Sequence, residues 1–255
     1  MPEGFAAPDW LSVDLVALGI PLVAFWLCMG AILTRAQGRA GLQARTRGEW
    51  LLDGVNLGVQ GWLVPLAAGW LGTHLWARVL PAGSLPLGAV GGFVLAFVGV
   101  DLLYYLNHRV LHAVAWPFHA VHHAAPRMDV FVSARNTAWT TAFLVYPWAS
   151  SLFLHVLDAR GGYLVGAALT AALDLWRHSG LEAPLAERLG LVSPRLHAWH
   201  HAPEVQDRNF GANWTWWDRA LGTFHDPGGA PARIGIPTGL STWRELLWPF
   251  GSVRP

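Results

Sequence analysis

The chain is 255 residues long, 53% hydrophobic and only 13% charged, with 16 tryptophans. A soluble domain carries about a quarter charged residues, so the composition points away from that class, and a net charge of +1 gives no basis for a nucleic-acid partner. All 17 basic residues are arginine, and the single cysteine, Cys28, rules out an intramolecular disulfide or a multi-thiolate metal site. Metal ligands, where present, must be histidine or carboxylate.

The N-terminus carries Glu3, Asp9 and Asp14 and no base, unlike the start of a signal peptide, so the first apolar stretch reads as a retained span. A spanning helix needs roughly 20 mostly apolar residues. Residues 15–34, 54–77, 87–106, 136–157 and 162–176 are the candidates in chain order, the last being short. The loop after the first holds Arg35, Arg39, Arg45 and Arg47 against Glu49, which predicts a cytoplasmic loop and an outside tail. Alternation then puts His108 at the cytoplasmic end of the third span and the arginines 109, 127 and 135 on the same side. The expected fold is all-α: one membrane domain over 1–255, a multi-pass transmembrane helical bundle of about four to five spans. Residues 108–135 and 178–225 form a cytoplasmic helical cap, and 239–250 an amphipathic tail.

Three histidine groups fall in that cap: His108-x3-His112, His119-x2-His122-His123 and His197-x2-His200-His201. Residues three and four apart share a helix face, so each group presents several imidazoles together. With 12 histidines in the chain, one H-x-x-H-H has a random chance on the order of one in ten thousand per start position, and here there are two. Imidazole suits zinc, copper, iron or nickel. Eight or nine histidines exceed the four ligands of a structural zinc and fit two adjacent ions with positions left open. His74, His155 and His225 have no partners in sequence and read as structural.

The order D-x3-Y-x2-H-x3-H, H-x2-H-H, H-x2-H-H resembles the fatty acid hydroxylase and sterol desaturase superfamily of membrane di-iron oxidases. Asp207-Arg-Asn209-Phe-Gly211 and Trp217-Asp218 to Gly222-Thr223-Phe224 are similar to two further blocks of that superfamily, so the resemblance runs from Asp101 to Phe224. It implies metal-ligand roles for His108, His112, His119, His122, His123, His197, His200 and His201. It also implies a histidine between the second and third groups, which His178 matches. Some relatives place two histidines four apart there; this chain has Asp174 before His178. The stretch Ser133-Ala-Arg135-Asn136-Thr137 departs again, where relatives often carry a histidine and a proline. Asp101, Tyr105, Asp174 and Asn209 are candidates to orient ligands from behind, while Asp207 and Asp218 either join them or close the cap.

The resemblance further implies two iron ions and O₂, with a fatty acyl, sterol or hopanoid, or carotenoid substrate hydroxylated or desaturated in the bilayer. The chain has neither a dinucleotide fingerprint nor cysteines for an iron–sulfur cluster. A separate ferredoxin, cytochrome or flavin reductase is therefore the expected electron donor. The competing expectation is a histidine-rich metal-binding or metal-transport membrane protein without redox catalysis.

Overall fold

The structure, a computed structural model, describes residues 9–205 and 207–251, with side chains from residue 15 onward. Glu3 and the side chains of Asp9 and Asp14, on which the outside tail was argued, lie outside the described residues. Those residues form helices and turns with no named strand; Leu85 and Leu157, and Leu191 and Trp214, meet only as isolated bridges.

The first long helix, α1 (Asp9–Thr34), leads through α2 (Ala36–Gln43) into α3 (Arg47–Gly58). Thr46 and Glu49 close a reciprocal capping box at the start of α3. A π-helical turn, Val59–Leu63, joins α3 to α4 (Val64–His74), and a second, Leu95–Gly99, joins α5 (Gly88–Val94) to α6 (Val100–Val114). Each π turn inserts an extra residue and rotates the face that follows; the second lies directly before Asp101, Tyr105, His108 and His112. The short α7 (Ala120–His123) and α8 (Thr140–Phe143) precede α9 (Val145–Val156) and α10 (Arg160–His178). Then come α11 (Pro184–Arg188), α12 (Pro194–His200), α13 (Trp216–Ala220) and α14 (Thr242–Leu247).

Helix α10 is central, packed between α1 and α5, while α9 lies against α4 and α6. The approach to α5 depends on two glycines. A Cβ on Gly162 would sit 1.7 Å from the Ala89 carbonyl oxygen, and one on Gly166 would sit 2.9 Å from the Ala96 Cβ. Ala96, Val100, Ala149, Leu157 and Tyr163 are buried together where these helices meet.

Among the described residues two helices are long and apolar enough to cross a membrane, Leu15–Thr34 and Gly88–Val114. Large apolar side chains stand bare along both, along α4 and along the π turn before it, including Leu18, Trp26, Trp62, Leu66 and Val90. A patch of that extent has no place in water. The described residues are thus all-helical, with the bare apolar faces of a membrane protein. The helices differ from the expected windows in three places, the first being 54–77, where the helical run begins already at Arg47 and ends at His74. The stretch 136–157 is broken at Leu144, where the backbone is extended. Asn107 holds the break open, its Nδ2 donating to the Phe143 carbonyl and its Oδ1 accepting from Val145 N. The remaining α9, 12 residues, is about 18 Å long. The stretch 87–106 continues to Val114, so His108 and His112 ride on the same helix as the apolar segment before them.

Candidate metal centre

Nine buried histidines converge in two groups. His108, His112, His119, His123 and His200 form one, and His122, His178, His197 and His201 the other; within each, one nitrogen per ring lies within 4.8 Å of all the others. All nine sequence-predicted ligands are in these groups. The assignment alternates along the chain: α7 and α12 each give residues to both, and α6 and α10 to one each. His74, His155 and His225 stand apart from both. His74 stacks on Trp70, His155 Nε2 is 2.9 Å from the Leu80 carbonyl oxygen, and His225 lies against Trp199.

The spacings suit ligation. Nε2 atoms lie 2.8 Å apart for His108 and His119, 3.1 Å for His112 and His123, and 3.0 Å for His178 and His197. Two nitrogens at right angles about an ion, each at roughly 2.1 Å, would be about 3.0 Å apart. The tautomers sharpen the case. His122 donates its Nδ1–H to the Arg135 carbonyl and His178 its Nδ1–H to the Asp174 carbonyl. Their Nε2 atoms are therefore both acceptors, yet they face each other at 3.3 Å. Burial pushes the His122 imidazole well below its usual range, which favours the neutral ring. Two facing lone pairs repel unless a cation lies beside both. His200 makes the same point. Its Nδ1–H goes to the Arg208 carbonyl, burial pushes its pKa down to about 4, and its buried Nε2 has no hydrogen-bond donor among the described residues. The site therefore fits metal ions bound by neutral imidazoles.

Each rear contact traces to a definite piece of chain. The segment 207–210 supports three rings of the five-histidine group. His108 Nδ1–H donates to Phe210 O at 2.9 Å, His200 to Arg208 O at 2.7 Å, and His112 Nδ1 sits 3.3 Å from Asp207 Oδ1. Asp207 and Asn209 take left-handed backbone, φ 56° and 54°, which Asp and Asn tolerate better than most residues. Asp218 receives the amides of Phe210 and Gly211 and the Thr223 hydroxyl; that hydroxyl also pairs with Tyr105 at 2.7 Å. Asn209 ties the Leu196 carbonyl on α12 to both backbone groups of His225. Tyr105 and Asn209 therefore lie behind the histidine rings, bonded to the segments that hold them. Asp101 differs from expectation. Its carboxylate accepts from Asn213 N, Trp214 N and Trp217 Nε1 rather than from an imidazole, and pins the loop after Phe210. Asp174 supports His178 through its backbone carbonyl, while its carboxylate pairs with Arg177 and lies 3.5 Å from His178 Nδ1.

Sequence reasoning missed the support behind His122. Arg135, whose carbonyl accepts from that ring, is held by Asp53 through Nε at 2.9 Å and Nη2 at 2.8 Å. Asp53 also pairs with Arg45, Arg45 reaches Asp129 at 2.6 Å, and Glu49 pairs with Arg127 at 2.7 Å. Three of these arginines had been counted only as loop charges.

A cavity of about 690 Å³ opens onto both groups, lined at one end by His119, His122 and His178. It follows one face of α10 from His178 back to Arg160, about 27 Å along the helix, and is mostly apolar between.

The fatty acid hydroxylase profile matches residues 93–223. The chain is 31% identical over 168 residues to the ornithine lipid hydroxylase OlsE of Rhizobium tropici, covering 61% of this chain and 46% of that one. It is 30% identical to the alkylglycerol monooxygenase of Danio rerio over 55% of this chain and 32% of that one, and 28% identical to the Homo sapiens enzyme of the same name over 55% and 32%. The chain thus spans under half the length of the curated relatives it matches. No solved structure matches it.

Proposed function

The chain belongs to the fatty acid hydroxylase family, and from that premise we propose that it is an O₂-dependent membrane lipid hydroxylase whose nine histidines hold two iron ions. The carrying observation is the facing pair of acceptor nitrogens on His122 and His178, each with its proton committed behind it. Two irons bound here would supply O₂ activation for insertion of oxygen into an unactivated C–H bond. In balance, a lipid C–H, O₂, two electrons and two protons give a C–OH and water. Hydroxylation is favoured over desaturation by the relatives, two kinds of enzyme named as a hydroxylase and a monooxygenase.

The chain's own residues do three things. The carbonyls of Phe210, Arg208, Arg135 and Asp174 hold Nδ1–H groups and aim the opposite lone pairs inward. The neutral rings leave the ions their positive charge. The largely apolar cavity admits a lipid chain, excludes water and delivers a carbon to the edge formed by His119, His122 and His178. His108 and His112, at the end of the apolar helix Gly88–Val114, fit a centre at the membrane surface. The arginine distribution supports the cytoplasmic side, with four to five spans counting α4, α9 and α10. Electrons come from a separate ferredoxin, cytochrome or flavin reductase.

The test is elemental analysis of the purified protein with O₂ uptake, together with lipid profiles of a host with and without the gene. Two irons per chain, reductant-dependent O₂ use and a lipid gaining one oxygen atom are expected. Zinc-filled protein that never consumes O₂ would sink the proposal.

A further inference from the structure

At its metal end the cavity is lined by two side-chain amides, Asn136 and Gln60. Asn136 is 7% exposed. Its backbone carbonyl accepts from Asn56, but its carboxamide makes no hydrogen bond among the described residues. Gln60 spends one N–H on Ala134 O at 3.4 Å, and its side-chain oxygen accepts no hydrogen bond among the described residues. Neither amide has its polar atoms sealed in the protein; both line the cavity, where they can donate to and accept from a bound group in a way that apolar lining could not. Asn136 immediately follows Arg135, whose carbonyl holds His122, so the amide stands beside the ligand edge where the substrate carbon arrives. It also lies in the stretch 133–137 where the sequence leaves the superfamily pattern.

The charges around this end are already matched. Arg177 pairs with the Asp174 carboxylate and donates to the Ala212 carbonyl. Arg135 is clamped by Asp53 and Glu49. Arg160, exposed at the opposite end of α10, is about 20 Å or more from the metal edge. A carboxylate or phosphate next to the reacting carbon would find no uncommitted guanidinium, whereas an ether, ester or hydroxyl would find an amide able both to donate and to accept.

We propose that Asn136, with Gln60, forms a neutral polar subsite that grips an uncharged hydrogen-bonding group of the lipid, so that the oxidised carbon lies within a few bonds of that group rather than far along the tail. This deepens the lipid-hydroxylase reading and rests on it for the reaction, but not for binding.

The test is displacement of a fluorescent lipid from the purified full chain by a monoalkylglycerol, a free fatty acid and an alkane of equal chain length, without turnover. The monoalkylglycerol should bind best. Asn136→Leu should weaken it roughly five- to tenfold, with Gln60→Leu weakening it less and alkane binding unchanged in both. Unchanged alkane affinity shows that the variant folds. Should Asn136→Leu fail to fold, Asn136→Ser and Gln60→Leu carry the comparison. Wild-type preference for the free acid, or undiminished monoalkylglycerol binding in the variants, overturns the subsite. Product mapping separates the two claims. Oxygen inserted mid-tail overturns the subsite and keeps the hydroxylase, whereas no O₂-dependent product overturns the hydroxylase and leaves the binding ranking to decide the subsite.

Discussion

The two histidine groups use one kind of ligand and differ in what stands behind it. Three rings of the five-histidine group rest on four consecutive residues, 207–210, a loop brought in from the far end of the sequence and pinned by Asp218 and Asp101. The four-histidine group has no such loop. His178 leans on the carbonyl one turn earlier in its own helix, and His122 on Arg135, which belongs to a buried set of ion pairs reaching α3. The first group is therefore supported by a folded motif, the second by helix geometry and charge. Separate supports should fail separately.

The largest effects test that independence at the ligands themselves. His200→Ala and His197→Ala should each abolish product and lower metal content by about one ion per chain, with the protein still inserted in the membrane. Metal analysis beside a lipid assay reads this. Loss of both ions from either variant would make the two groups one cooperative site. Next comes Asp53→Ala, which leaves the buried Arg45 and Arg135 without their shared carboxylate. Breaking a buried pair by removing one partner costs about 3–5 kcal/mol, so thermal unfolding should move down sharply. The residual folded protein should lose metal from the four-histidine group first. A smaller effect is expected for Asp218→Asn. An amide can accept on only one atom where the carboxylate takes Phe210 N, Gly211 N and Thr223. Affinity for the ion of the five-histidine group should fall about 10–100-fold, with the other ion unaffected. Titration with a chelator, read as two phases, distinguishes these outcomes.

The same contrast explains what could be read before the fold was known. The five-histidine group's support is written locally: Asp207, Asn209 and Asp218 sit in short blocks, and a left-handed Asp or Asn and a carboxylate over two amides are demands a few residues can meet. The length of the apolar stretches likewise marked α1, α10 and the helix that carries His108. The four-histidine group's support is not local. Asp53 meets Arg135 across 82 residues and Asp129 meets Arg45 across 84, so their charges looked like loop charges that set orientation. Backbone carbonyls such as Arg135 O carry no side-chain signature. Asp101 misled for a related reason. Its place seven residues before His108 in the motif was legible, but the amides at Asn213 and Trp214 that claim its carboxylate come from more than a hundred residues away. The break at Leu144 depends on Asn107 in another helix, which hydropathy does not register.

Helices α7 and α12 both serve the two groups, and α12 sharpens the comparison least in size but most in logic. Helix α12 carries His197 for one and His200 for the other, and its Arg195 joins Glu187 at 2.8 Å and Asp226 at 2.6 Å. Both carboxyls lie below the usual carboxylate range: burial is the largest influence on Glu187 and raises it, but the hydrogen bonds from Arg195 and Ser193 with the Arg195 charge together bring it down, and at Asp226 the Arg195 hydrogen bonds are the largest influence. A depressed carboxyl stabilises the fold above its ordinary pKa, and that contribution is lost as pH falls through the depressed value. The Tm difference between the wild type and Arg195→Met should therefore be greatest near neutrality and should close below about pH 4. Acid also releases metal, so metal content is followed beside Tm and the comparison is made where both proteins hold the same amount. The pairs are partly exposed, so the gap should be modest and should shrink with added salt. Because α12 serves both groups, the two ions should weaken together in this variant. An ion lost selectively from one group on Arg195→Met would mean that α12 is not their common anchor.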